Sequence, residues 1–255
     1  MQAMATCLHT PKSMTQGSDI VTTSGVSDFI GRLKQHVDSI HFSRVRGLQD
    51  FSRRLTPVLQ EATEWRRNNS PLFNIFKALG VERKEVAISR ILTFLLSPRA
   101  AHEQGDVFLS MFLQQLDQRL ELAGKNPLPR TGLREALVQP EAWIETPQGE
   151  SARLDIRIEC GREFLLVIEN KIDHQEGDGQ LEKYRAWMTE QPHSRQVLVF
   201  LTPDGRLPSS IKPESCICFS YQKDIREWLA SAGQMVRSNS VLDVIDQFQK
   251  IISTY

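Results

Sequence analysis

The chain has 255 residues, 40% hydrophobic and 24% charged, enough to bury one sizeable core with a helical extension beside it. Its 31 basic and 31 acidic residues cancel, which argues against broad electrostatic capture of nucleic acid, and no apolar run approaches the length of a membrane span. Cys7, Cys160, Cys216 and Cys218 make no disulfide framework in a chain this long, so reduced thiols and a cytoplasmic setting are expected.

Residues 1–24 are rich in Ser, Thr and Gly and read as a disordered tail, with neither the basic stretch nor the apolar block of a secretory signal. Residues 25–70 read as a helical extension that carries Phe29, Leu33, Val37 and Ile40 on one face. It would brace the core or serve as an arm for a protein partner or a second copy. Residues 71–255 read as one α/β domain. Its first long helix, from Glu85, has a broad apolar stripe through Val86, Ile91, Leu92 and Leu95 and ends before Pro98. A second amphipathic helix runs from Phe108 to Leu122. A strand follows within Ala136–Thr146, turning at Pro147-Gln-Gly149.

The next two segments carry the chemistry. Arg153-Leu-Asp-Ile-Arg-Ile-Glu159 alternates apolar and polar residues as a half-buried strand does, with Leu154, Ile156 and Ile158 toward a core and Asp155 on the other face. Phe164-Leu-Leu-Val-Ile-Glu-Asn-Lys171 is a continuous apolar run that ends abruptly in charge, the pattern of a strand covered on both sides. Side chains repeat every two residues, so Glu169 and Lys171 share a face. A three-residue turn at Cys160-Gly-Arg162, or a bulge, pairs Glu159 with Glu163 and sets Asp155 opposite Val167, diagonal to Glu169. A two-residue turn would send Asp155 to the wrong face. Two carboxylates so placed repel unless a cation lies between them, and Mg²⁺ takes one or two carboxylates plus water and phosphate oxygens. The Lys171 amine would position a water or hold charge developing on a phosphate. The bland alternative is a surface ion pair between Asp155 and Lys171.

After a turn-rich loop, Gln180-Leu-Glu-Lys-Tyr-Arg-Ala-Trp-Met188 has helical periodicity, which puts Gln180 and Tyr184 on one face. Tyr184 reads either as a site residue or as a core aromatic. Gln196–Leu201 is a buried strand, completing a βαβ order. Cys216-Ile-Cys218 lies in a further strand with no second Cys or His pair at zinc spacing. Ile225–Ala232 and Val241–Ile252 close the chain as helices. Arg53-Arg54, Arg66-Arg67, Arg83-Lys84 and Lys183 with Arg185 form local basic clusters, each read first as a solvated face. His174, three residues past Lys171, is the histidine nearest the proposed site.

Asp155, Glu169-Asn-Lys171 and Gln180-Leu-Glu-Lys-Tyr184 together resemble the PD-(D/E)XK nuclease superfamily. Ile168–Asp173, Gly179-Gln-Leu181, Val199–Gly205 and the upstream segment from Phe73 to Asp106 are similar to one bacterial branch of it. The resemblance implies a restriction-endonuclease-like core, a central mixed β-sheet flanked by helices, with an acid from the first core helix completing the metal site. Glu85 best matches that acid and Glu82 is second. It also implies catalytic roles for Asp155, Glu169, Lys171 and Glu85, supporting roles for Gln180 and Tyr184, and Mg²⁺ held by Asp155, Glu169 and Glu85, with Mn²⁺ as a substitute. The implied activity is metal-dependent phosphodiester hydrolysis, with DNA as the nucleic-acid partner, in defence or repair. That branch usually has histidine where Ile88 stands. The alternative reading is a nuclease fold that binds nucleic acid or a protein without cutting.

Overall fold

The computed structural model describes residues 23–255, so the expected tail falls almost wholly outside the described residues. The chain divides into two compact units, one ending at Pro71 and the other spanning Leu72–Tyr255. In the first, the expected helical extension is one continuous helix, α1 (Thr23–Asn69), of 47 residues. At 1.5 Å per residue it is about 70 Å long. Its apolar side chains stay exposed, Phe29 at 62% and Leu48 at 69%. Pro57 lies inside it without ending it.

The second unit is a three-layer α/β domain. Its helices are α2 (Ile75–Ala78), α3 (Glu85–Leu96), α4 (Val107–Leu122), α5 (Gln180–Thr189), α6 (Arg226–Met235) and α7 (Asn239–Ile252). Its strands β1 (Leu137–Glu145), β2 (Ser151–Cys160), β3 (Phe164–Asn170), β4 (Arg195–Thr202) and β5 (Ile217–Ser220) form one sheet in chain order. β1, β2 and β3 pair antiparallel; β3, β4 and β5 pair parallel. The sheet is therefore mixed and flanked by helices, as the resemblance implies. β3 is buried at every position, which is why it reads as an unbroken apolar run.

One sheet face packs on α3, α4, α6 and α7 through Ile156, Ile158, Leu166 and Ile168 in the larger core. The other packs on α5 through Leu165, Val167, Leu181 and Tyr184. Leu154 departs from the expected alternation: it is buried in the α5-side cluster, not with Ile156 and Ile158. The departure coincides with a gap in the β1–β2 ladder, which passes from Pro140↔Ile156 to Ala142↔Leu154 while Glu141 between them has φ +50°. The face that carries Asp155 is thus no open surface but the floor of a layer roofed by α5.

Candidate active site

The β2–β3 hairpin sets the geometry. Its turn is three residues long, but it comprises Gly161, Arg162 and Glu163, because Cys160 pairs with Phe164. This corrects the expected register by one residue on each strand. Gly161 takes φ +53°, which suits a residue without Cβ, while Cys160 stays in the core with its thiol against the Thr131 and Gly132 carbonyls. The loop keeps an odd length, so Asp155 remains on the Glu169 face. The ladder ends at the Ile156↔Ile168 pair, and the corrected register continued by one step sets Asp155 opposite Glu169 and not opposite Val167. The acids are closer than the diagonal arrangement would make them.

Glu169 is fully buried, and neither of its carboxylate oxygens accepts a well-directed hydrogen bond. Lys171 Nζ lies 2.6 Å from its Oε1 as a charge contact, and 3.9 Å from Glu85 Oε2. Burial first, and the neighbouring Asp155 charge second, push the Glu169 carboxyl up to about 8, with Lys171 pulling the other way. Asp155 is raised mainly by burial, although its Oδ2 accepts the Asn170 N–H at 2.8 Å. Burial works against charge on Lys171, but the carboxylates of Glu169, Asp155 and Glu85 outweigh it and the pKa is raised. The surface ion-pair reading of Asp155 and Lys171 fails, since the lysine contact goes to a buried glutamate beneath the surface.

Glu85 opens α3 and reaches past the end of β3. Burial opposes its ionisation, but hydrogen bonds from the Ile172 N–H (2.8 Å to Oε1) and from His174, together with the Lys171 charge, hold its pKa low. His174 is exposed and touches the site only through Glu85. Glu82, the second choice for this acid, does not line the cleft that Glu85 shares with Asp155 and Lys171, and its backbone carbonyl accepts from the Tyr255 hydroxyl. Ile88, one turn along α3, is wholly buried in the larger core, where its side chain packs and reacts with nothing.

Gln180 and Tyr184 meet as their spacing requires. Gln180 Nε2 donates to the Tyr184 hydroxyl at 2.7 Å, and that hydroxyl donates to the Arg153 carbonyl at 2.5 Å. Gln180 Oε1 accepts the Gly177 N–H at 3.2 Å, which ties the turn before α5 to the helix. The Tyr184 ring is core, as one of its two readings had it, and its hydroxyl fastens α5 to the strand that bears Asp155. Tyr184→Phe would leave the Arg153 carbonyl unpaired, and thermal or denaturant unfolding is expected to show a loss of about 1–3 kcal/mol. Unchanged stability would remove this strut.

Asn170, the middle residue of Glu169-Asn-Lys171, is a positioning residue that sequence reasoning passed over. It points to the opposite face from its neighbours and is fully buried. Its Nδ2 donates to Ser89 Oγ at 3.0 Å and to the Glu85 carbonyl at 3.2 Å, and its Oδ1 accepts from the Tyr221 hydroxyl at 2.8 Å. It thereby fixes the start of α3, and with it Glu85, to the end of β3. The only sequence signal was a polar residue at the covered end of a buried strand. The following loop is also secured: Glu176 accepts from the Ser209 and Ser210 hydroxyls at 2.6 and 2.8 Å, and Arg206 donates to the His174 carbonyl at 2.8 Å.

Above these groups lies a cleft of about 380 Å³ lined by Glu85, Arg153, Asp155, Lys171, Gln180 and Tyr184, among others, with Lys183 at its side. Among the described residues no three His, Cys, Asp or Glu side chains converge tightly enough to hold an ion unaided. Two carboxylates do face each other, and the buried Glu169 oxygens lack directed donors while Asp155 leaves one oxygen unclaimed by Asn170. Such a set fits a hard divalent cation that keeps water and substrate oxygens in its remaining positions.

The same carboxyl predicts a pH dependence. In protein stripped of divalent ions, folded Glu169 holds a proton up to about pH 8, whereas an ordinary glutamate releases it near 4.5. The folded state therefore binds more protons across that window, and this group's contribution to stability falls as pH rises from 4.5 to about 8. Melting in chelator at pH 5.5 and 8 should show a decline in the parent protein that Glu169→Gln lacks. An equal pH response in both proteins would contradict the buried acid.

A family model described as the PD-(D/E)XK nuclease superfamily matches residues 73–250. No curated protein and no solved structure matches the chain.

Proposed function

The chain belongs to the PD-(D/E)XK nuclease superfamily, and on that premise we propose that it hydrolyses phosphodiester bonds in DNA with the help of Mg²⁺, for which Mn²⁺ substitutes. The observation that carries the reading is the buried, poorly satisfied Glu169 carboxylate opposite Asp155 with the Lys171 ammonium against it. Asp155 and Glu169 would hold the cation, with Glu85, whose Oε2 lies 3.9 Å from Lys171 Nζ, adding a third carboxylate. When bound, such an ion supplies positive charge at the scissile phosphate and a water at neutral pH ready to attack.

The protein's own groups do the rest. Lys171, surrounded by carboxylates, stays an ammonium: it donates to the attacking water or to a phosphate oxygen, stabilising charge as it develops. Asn170 keeps Glu85 and β3 in fixed relation, so the acids need no rearrangement before reaction. Gln180 and Tyr184 anchor the wall of the cleft, and Arg153 and Lys183 line it, each paired with a carboxylate, Glu141 at 3.0 Å and Glu150 at 2.7 Å, that an incoming phosphate would displace. We place this activity in the cytoplasm, in defence or repair; among the described residues no helix is long and apolar enough to cross a membrane.

The binding-only reading has Ile88 in its favour, but Ile88 is a core residue, and the Lys171 amine against the buried Glu169 supports the cutting reading. A panel of single- and double-stranded DNA and RNA separates the readings. Cleavage of DNA with Mg²⁺ or Mn²⁺, and none in chelator, is expected; binding without cleavage under every condition would favour the alternative.

A further inference from the structure

The exposed apolar residues of α1 are not scattered. Val26, Leu33, Ile40, Phe51, Val58 and Trp65 follow one another at steps of seven, seven, eleven, seven and seven residues. A second row, Ile30, Val37, Leu48, Leu55 and Ala62, keeps steps of seven, eleven, seven and seven. These are the two core rows of a coiled coil, interrupted once by an eleven-residue step. Apart from Ala62, the apolar members are between 38% and 69% exposed, and Pro57 falls on the outer face, clear of both rows.

We propose that α1 pairs with α1 of a second copy of this chain as an antiparallel two-stranded coiled coil. The interrupted spacing argues for a copy: a partner must carry the same step at the same place, and another α1 does so by construction. From Val26 to Ala62, with Arg44 counted, the merged steps of the two rows run four, three, four, three, four, four, three, four, three, four and read the same from either end, so two antiparallel copies match layer for layer over that stretch, with Trp65 beyond it. Leu33 then faces Leu55, Val37 faces Phe51, Ile30 faces Val58 and Val26 faces Ala62. Phe51 thus meets the smaller Val37. In a parallel pair Phe51 and Trp65 would each meet themselves, and β-branched Val26, Ile40 and Val58 would occupy the row where parallel dimers prefer leucine.

The area suffices. Burying an aliphatic or aromatic side chain removes roughly 60–120 Å² from water, so about ten per helix bury on the order of 1,200–2,400 Å² in the pair, the size of a stable interface. One polar residue, Arg44, sits at the centre of the seam inside the eleven-residue step. A single such layer fixes register at a cost in affinity, and Gly47 beside it leaves room for the long side chain to reach water.

Sedimentation equilibrium of the full chain should give twice 29.1 kDa. Leu33→Glu combined with Leu55→Glu should raise the dissociation constant at least ~100-fold, while the cooperative melt of the second unit persists. Phe42→Glu, which charges an equally exposed position off the seam, should leave the dimer intact. Arg44→Leu should tighten it. Mixing Val37→Cys and Phe51→Cys chains under mild oxidation should give a 37–51 linkage in the peptide mass spectrum. A monomer up to about 100 µM, a trimer, a dimer indifferent to the paired glutamates, equal disruption by Phe42→Glu, or 37–37 linkages would each overturn the proposal.

Discussion

Lys171→Ala is expected to lower the rate of DNA cleavage by roughly 10²–10⁴-fold, the range for loss of a positioned proton-handling or charge-stabilising group. The amine is no cation ligand, so divalent binding should survive. It should strengthen somewhat, since a positive charge 2.6 Å from Glu169 Oε1 competes with the ion for that oxygen. Folding is a separate matter. Removing the ammonium leaves Glu169 buried with no compensating charge, and its carboxyl, already at about 8, must rise further. The cation-free variant should therefore hold a proton on Glu169 through neutral pH and remain folded. Single-turnover cleavage, calorimetric titration with Mn²⁺ and a melting curve on the same preparation distinguish these effects. Cleavage at the parent rate would refute the role given to Lys171.

Asp155→Asn should have the complementary signature. The amide keeps the shape and one oxygen for the Asn170 N–H, so the hairpin is preserved. What is lost is one unit of negative charge beside the cation. At an effective dielectric of about 20, a unit charge pair 4 Å apart is worth about 4 kcal/mol, so a fall in divalent affinity of roughly 10²–10³-fold is expected, with cleavage falling in step. Relief of repulsion should also lower the Glu169 pKa, making the cation-free variant less sensitive to pH than the parent between 4.5 and about 8. Unaltered Mn²⁺ affinity would take Asp155 out of the ligand set.

Much of this site was legible in the sequence because strands expose their logic at period two. Asp155, Glu169 and Lys171 share a face by parity alone, and the buried run Phe164–Ile168 marks the site as lying at the edge of a core. The register was not legible. A three-residue loop is allowed at two offsets, and the choice depended on Cys160 being buried while Gly161 took the left-handed backbone. Leu154 was misplaced for a related reason: local distortion beside Glu141 overrides alternation and has no signature in the strand itself. Asn170 was passed over as the variable middle of Glu-Asn-Lys, because its three partners lie far away in sequence, on α3 and beyond β5. Glu85 came from resemblance, and the structure supplies the physical reason for its place, a helix start tied to a strand end. On α1 three of the four residues first noted as one face, Leu33, Val37 and Ile40, belong to a longer pattern, visible only when an eleven-residue step is admitted among sevens, while Phe29 falls beside it.

The central claim is that two opposed carboxylates and a lysine at the end of β3 form a cation-dependent phosphodiesterase centre. The most direct test is the single-turnover rate of DNA cleavage by the full chain, measured in chelator and then with Mg²⁺ or Mn²⁺ added, beside Asp155→Asn under the same conditions. Cleavage that appears only with the cation and is lost in Asp155→Asn is the predicted result; cleavage indifferent to chelator, or equal in Asp155→Asn, would contradict it.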